Sequence, residues 1–202
     1  MASGGDKAVV ASNGRLNCAR GWQSRWPKAL VARRTSSGME IREGGPDDAE
    51  ALCDLTATVW RAAYVDVLGE ETVEEHLAAT NDPETTRAAF AEYDLTAFVV
   101  GDPVVAQAFC RPDEAGDQLH LTQLYVHPGH WRDGIGSALL DRVEREAQAR
   151  DRSTVALVVL DENDRGRAFY ETHGYEQVGV REESIDDSVN ELRYEKTLSS
   201  TA

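Results

Sequence analysis

Leu124-Tyr125-Val126-His127-Pro128-Gly129-His130-Trp131-Arg132-Asp133-Gly134-Ile135-Gly136-Ser137-Ala138-Leu139-Leu140 is the stretch that decides the reading of this chain. Its first residues close an apolar strand, the next seven form a short loop, and Gly134-Ile135-Gly136 opens an amphipathic helix. Such a junction gathers backbone N–H groups in a concavity at the positive end of a helix dipole, which suits a phosphate or diphosphate. Gly134 and Gly136 let the backbone approach an anion without an intervening Cβ. Paired glycines also make ordinary tight turns, so the loop alone does not choose. A second block downstream does: Asn163, then Ala168-Phe169-Tyr170-Glu171, then His173-Gly174-Tyr175.

Outward from these blocks the apolar pattern switches between periods of two and 3.6. Strands are expected at 40–42, 95–100, 104–111, 118–126, 154–160, 175–182 and 190–198. Helices are expected at 49–68, 71–79, 83–92, 135–150 and 164–173. Pro46-Asp47-Asp48 reads as a turn with helix-capping carboxylates, and Gly101-Asp102-Pro103 as the turn of a hairpin. The acidic stretch Glu182–Asp187 reads as a solvated loop. These elements predict an α/β (α+β) fold with a mixed, mainly antiparallel central sheet flanked by helices. One domain spans 39–198, with a short tail at 199–202. Residues 1–38 lack periodicity and read as a disordered or non-native extension; their Arg-rich, acid-poor composition is the rival, transit-peptide reading.

The 202 residues carry a net charge of −15, unevenly spread. Seven Lys/Arg stand against one Asp in residues 1–38, and 14 Lys/Arg against 35 Asp/Glu in the remainder. So acidic a domain lacks the basic footprint of nucleic-acid binding. Lys7, Lys28 and Lys196 are the three lysines of the whole chain, and Lys196 is the one in the domain. A Lys-poor acidic surface stays soluble at high salt, as in halophiles, and also suits an ordinary acidic cytoplasmic protein. Its field would attract cationic amines until salt screens it. Cys18, Cys53 and Cys110 show no metal or redox spacing, which fits reduced thiols in a cytoplasm. No apolar run has the length of a membrane span. His127 and His130 lack a third ligand in sequence, so no metal is expected.

The two blocks resemble the GNAT superfamily of acetyl-CoA-dependent N-acetyltransferases over residues 39 to 198. Val126 and Pro128 match its Val-x-Pro strand end, and Gly134 and Gly136 match the glycine pair of its [Gln/Arg]-x-x-Gly-x-[Gly/Ala] loop. Asn163, Phe169, Tyr170, Gly174 and the aromatic Tyr175 match its second motif. Trp131 stands where relatives usually have Gln or Arg, Arg132 where they often have Gly, and Gly166 where they usually have Ala. The resemblance implies that Tyr125 and Val126 hold pantetheine through their main chains. It implies that Trp131, Arg132, Asp133, Gly134, Ile135, Gly136 and Ser137 surround the diphosphate, and that Asn163 touches the cofactor as well as capping its helix. Tyr170 would protonate the departing thiolate, since a phenol titrates near pH 10 and keeps its proton at neutrality.

Alternation places His120 and Thr122 on one polar face of their strand. His120 occupies a position where many relatives carry Glu. Two readings stand: a general base titrating near neutrality, or a half-buried histidine satisfying a hydrogen bond, with water carrying the proton. Trp60 and Tyr64 lie one helical turn apart, either as a wall of the acceptor pocket or as core. Glu70 and Glu71 are either partners for a cationic acceptor or solvated charges. The expected activity is direct acetyl transfer from acetyl-CoA to a primary amine, small-molecule or peptide, without membrane or nucleic acid; a homodimer is compatible with the resemblance. The alternative is a non-catalytic acyl-CoA-binding sensor, which needs the glycine loop but neither acid nor base.

Overall fold

Alternation in the first half of Gln118–Val126 buries Leu119 and Leu121 on one side and leaves His120 and Thr122 half-buried on the other. This strand, β4, is central to a seven-stranded sheet in the computed structural model, which describes residues 38, 40–113, 116–181 and 190–199. The expectations for residues 1–37, for Glu182–Asp187 and for residues 200–202 lie outside the described residues.

Strand β1 (Ile41–Gly44) leads through a tight turn to α1 (Ala49–Leu68), α2 (Glu70–Thr80) and α3 (Pro83–Glu92). The hairpin β2 (Thr96–Val100) and β3 (Ala106–Pro112) feeds β4 (Gln118–Val126). There follow α4 (Ile135–Ala149), β5 (Thr154–Leu160), α5 (Asp164–Thr172), β6 (Glu176–Arg181) and β7 (Glu191–Thr197). The sheet order is β1-β2-β3-β4-β5-β7-β6, with β4–β5 the parallel pair and the other pairs antiparallel. The mixed, mainly antiparallel sheet is therefore as expected.

Helix α4 buries Ile135, Leu139, Leu140, Val143 and Ala147, a stripe at helical spacing. It meets Phe98, Val100, Ala108, Leu119, Leu121, Val155 and Leu157 from one face of the sheet. On the other face Leu52 of α1 packs with Ala97, Val99 and Phe109. A third cluster joins α1 and α2 through Trp60, Val73 and Leu77. Each large core side chain contributes roughly 1.5–3 kcal/mol by burial, so these interfaces fix where the helices lie on the sheet.

Asp48 is a capping carboxylate as expected, but it closes a capping box on the 3₁₀ turn rather than capping α1. Its carboxylate accepts from the Gly45 N–H at 2.9 Å and binds Arg42 at 2.6 Å, with no side-chain hydrogen bond to α1. A single 3₁₀ turn runs straight into the helix, so the carboxylate points back at the turn rather than along α1. No described helix is long and apolar enough to cross a membrane.

Candidate functional site

Strand β4 pairs with β5 only from Gln118–Thr154 to Leu121–Leu157. Beyond that point both strands continue, β4 to Val126 and β5 to Leu160, without pairing to each other. On its opposite side β4 stays bonded to β3 as far as Val126–Ala106, and His127 N–H donates to Val105 O at 2.8 Å. In an antiparallel ladder successive residues turn their backbone groups to opposite sides. The main chains of Leu124 and Val126 therefore face the gap opposite β5. That of Tyr125 faces β3, which corrects the expectation that Tyr125 offers its backbone to a ligand. Leu124, which sequence reasoning missed, joins Val126 in turning its main chain to that gap.

This gap opens into a cavity of about 1170 Å³ lined by residues 121–126 of β4, Val158–Leu160 of β5, the glycine loop, α5 and the inner faces of α1 to α3. At the loop end Gly134 is the N-cap of α4 with φ +78°, a left-handed conformation that favours glycine. Gly136 has its Cα facing Phe169, whose ring would lie 3.4 Å from a Cβ there, so the helix starts close against α5. The first N–H groups of α4 have no intrahelical acceptor, and those of Gly136 and Ser137 sit in the cavity wall. The donor set, backbone N–H groups with Arg132 and Arg165 nearby, fits the diphosphate of a coenzyme A molecule.

The departures at the loop have structural reasons. Arg132 adopts φ +74°, which explains why a glycine is common at this position among relatives. The Trp131 indole N–H donates to Val126 O at 2.8 Å and ties the loop to the end of β4. The Arg165 guanidinium lies over the Trp131 ring at 3.7 Å, bridging the loop to α5. Asn163 caps α5 by accepting from Gly166 N–H at 2.9 Å and donates to Tyr64 Oη at 3.1 Å. A Cβ at Gly166 would stand 2.7 Å from the Asn163 amide, so glycine here leaves room for Asn163 to fold over the helix start.

At the other end of the gap four rings meet. Trp60 and Tyr64 lie 4.8 Å apart, and Trp60 Nε1 donates to Tyr125 Oη at 2.9 Å. Tyr170 faces the same cavity, and its hydroxyl has no hydrogen-bond partner among the described residues. Burial, reinforced by Tyr64 and Tyr125, pushes the Tyr170 phenol well above its ordinary value and keeps it protonated. Gln107, fully buried, donates to Thr56 Oγ1 at 3.0 Å and to Gln123 Oε1 at 2.8 Å, fixing the polar part of this wall.

Two expected site residues fall outside the lining, His120 and Asp133. His120 pairs with Arg111 and Ala156 in the half of β4 that is bonded on both sides. Burial lowers its pKa, opposed by Asp113. The Asp133 carboxylate lies 3.2 Å from His130 Nδ1. Glu70 and Glu71 do not line the cavity either; Glu191 is the carboxylate that does among the described residues. His76, missed in the sequence, lines the cavity and stacks on Trp60 at 3.9 Å. Burial holds its imidazole below the ordinary histidine value, so it is neutral at pH 7. Its only sequence signal is a position 16 residues after Trp60, across a helix–helix turn that periodicity does not resolve.

Among the described residues no group of three or more His, Cys, Asp or Glu is placed to hold a metal ion.

Comparison with known proteins places these features. The sequence profile of the acetyltransferase (GNAT) family matches residues 50–175. An uncharacterized N-acetyltransferase of Mycobacterium bovis is 29% identical over 141 residues, covering 66% of this chain and 86% of that protein. Among solved structures, the PaiA N-acetyltransferase of Thermoplasma acidophilum in complex with coenzyme A superposes with a TM-score of 0.68 at 21% identity. The match covers 79% of this chain and 99% of that one. The ribosomal-protein-S18-alanine N-acetyltransferase of Escherichia coli superposes with a TM-score of 0.60 at 20% identity, over 80% and 95% of the two chains. At such identities these structures show a shared fold.

Proposed function

This chain belongs to the acetyltransferase (GNAT) family, and on that premise we propose that it moves an acetyl group from acetyl-CoA to a primary amine by direct attack on the thioester. The observation that carries the reading is one continuous cavity. It joins an anion-suited helix start, a gap between two diverging strands and a phenol with no hydrogen-bond partner among the described residues. Acetyl-CoA, when bound, supplies the activated acetyl group.

The chain's own residues do the remaining work. Gly134, Gly136 and Ser137, with Arg132, hold the diphosphate at the helix start, flanked by Trp131, Ile135 and Arg165. Backbone groups of Leu124 and Val126 hold the extended part of the cofactor along the open edge of β4. Such main-chain donors are already oriented when charge develops. Asn163 steadies Tyr64, and Tyr64 with Trp60 and Tyr125 walls the reacting centre and excludes water. Tyr170 gives its proton to the departing thiolate. The proton on the acceptor amine goes to His76, which is neutral and lines the cavity; His120 reaches that space only through water.

With one carboxylate, Glu191, among the lining residues and an aromatic wall, the cavity favours a neutral, partly apolar amine, whether small or at the end of a peptide. The test is thiol release from acetyl-CoA across a panel of aromatic, aliphatic and peptide amines, alongside calorimetry of acetyl-CoA. Binding with release for one class establishes the transferase and its acceptor. Binding without release across the panel favours a sensor that uses the same loop.

A further inference from the structure

His173 closes α5 and touches the glycine loop, although neither motif gives its imidazole a task. Its Nδ1 lies 2.7 Å from Phe169 O, and its Nε2 lies 2.9 Å from Ser137 Oγ. A carbonyl oxygen only accepts, so Nδ1 carries the hydrogen of this contact. In the neutral ring Nε2 is then an acceptor, and the Ser137 hydroxyl must donate to it. The hydroxyl hydrogen is thereby turned away from the cavity that Ser137 lines. What Ser137 Oγ presents to a bound anion in that state is a pair of lone pairs, which repel it.

A proton on Nε2 reverses the arrangement. Nε2–H then donates to Ser137 Oγ, and the hydroxyl hydrogen is released to point into the loop. We propose that His173 is a positioning residue for the diphosphate grip. By taking a proton from solvent it converts Ser137 from acceptor to donor, so cofactor binding and proton uptake are linked. This rests on the acetyl-CoA reading given above. Besides Ser137 of α4, the ring meets Phe169 and Thr172 of its own helix. Asp141, one turn further along α4, is paired with Arg145 at 3.6 Å. On β7, Lys196 approaches the neighbouring Gly174 but is bound by Glu144 at 2.8 Å. Arg132 and Arg165 supply charge at the same end of the cavity that does not change with pH.

The sign follows from linkage. A ligand that favours the protonated ring binds best at low pH, and its affinity falls as pH rises, by at most about tenfold per pH unit for one linked proton. The probe is 3′-dephospho-CoA, which keeps the diphosphate and lacks the phosphomonoester that titrates in the same range. Calorimetry of the full chain between pH 6 and 8.5, in two buffers of different ionisation heat, reads proton uptake directly. The expected result is a fractional proton taken up per ligand within this pH span, with uptake abolished in both Ser137→Ala and His173→Gln. Should His173→Gln fail to fold, Ser137→Ala carries the test, because alanine is well tolerated inside a helix start. Binding without uptake in the full chain, or uptake undiminished in Ser137→Ala, overturns the proposal. Absence of binding by both this nucleotide and acetyl-CoA overturns instead the acetyl-CoA reading on which it rests.

Discussion

The two halves of β4 share one backbone, with a bulge opposite Phe109–Cys110 that shifts the alternation between them, and they serve different ends. From Gln118 to Leu121 the strand is bonded to β3 and to β5, and its inward side chains are core. From Thr122 to Val126 it keeps β3, loses β5, and turns the backbone of alternate residues into a cavity. The difference lies in the neighbour, because β5 diverges after Leu157. Stability is concentrated where every backbone group is paired. The cavity opens where pairing stops and the open edge of β4 is not covered by another strand.

The strongest way to separate the two halves is at the reacting end. Tyr170→Phe should lower turnover by roughly 10²–10⁴, the contribution of one positioned acid, while acetyl-CoA affinity holds. The lost hydroxyl has no protein partner among the described residues, so the melting temperature should also hold. Unchanged turnover would remove Tyr170 from the chemistry. The reciprocal experiment acts on the paired half. Leu119→Ala, at a fully buried core position, should cost about 2–5 kcal/mol in denaturant unfolding and leave acetyl-CoA affinity of the folded protein intact. A loss of affinity matching the loss of stability would mean that the halves are not separable.

The histidines sharpen the same division. His76 belongs to the cavity and His120 to the paired half. Burial lowers the pKa of both, so each stays neutral at pH 7 and gains its proton only below the ordinary histidine range. An acceptor-side base must be neutral to work, so the rate should fall as pH drops through that lowered value. His76→Gln should abolish this acidic limb and His120→Ala should preserve it. The opposite pattern would return the base to His120. The smallest effect is expected at Arg132. Arg132→Gly relieves a left-handed backbone and should stabilise the fold by about 1 kcal/mol, while acetyl-CoA binding weakens severalfold as the cation is lost. Loss of stability in that variant would show that the loop is held by the arginine rather than strained by it.

Much of this was legible in the residues. The ends of β4 and β5 follow from apolar runs bounded by turn chemistry. The glycine loop and the α5 block carry spacing specific enough to point to the family. His120 shows the limit of that reading. Period-two alternation correctly put it on the polar face, but alternation says nothing about how far along the strand the neighbouring strand departs. Tyr125 shows the same limit for backbone direction, which depends on the register with β3. His76 was invisible because its partner Trp60 lies on another helix, and stacking between helices leaves no local pattern. Gly166 reads in the sequence as a departure from the usual Ala; the folded chain shows it making space for the Asn163 side chain.

The central claim is that the open half of β4 is the seat of acetyl-CoA, and backbone amide hydrogen exchange across residues 118–126 tests it most directly. Saturation with acetyl-CoA should slow exchange at Leu124 and Val126 and leave Leu119 and Leu121, already bonded on both sides, unchanged. Binding that leaves Leu124 and Val126 as fast as before would contradict the account.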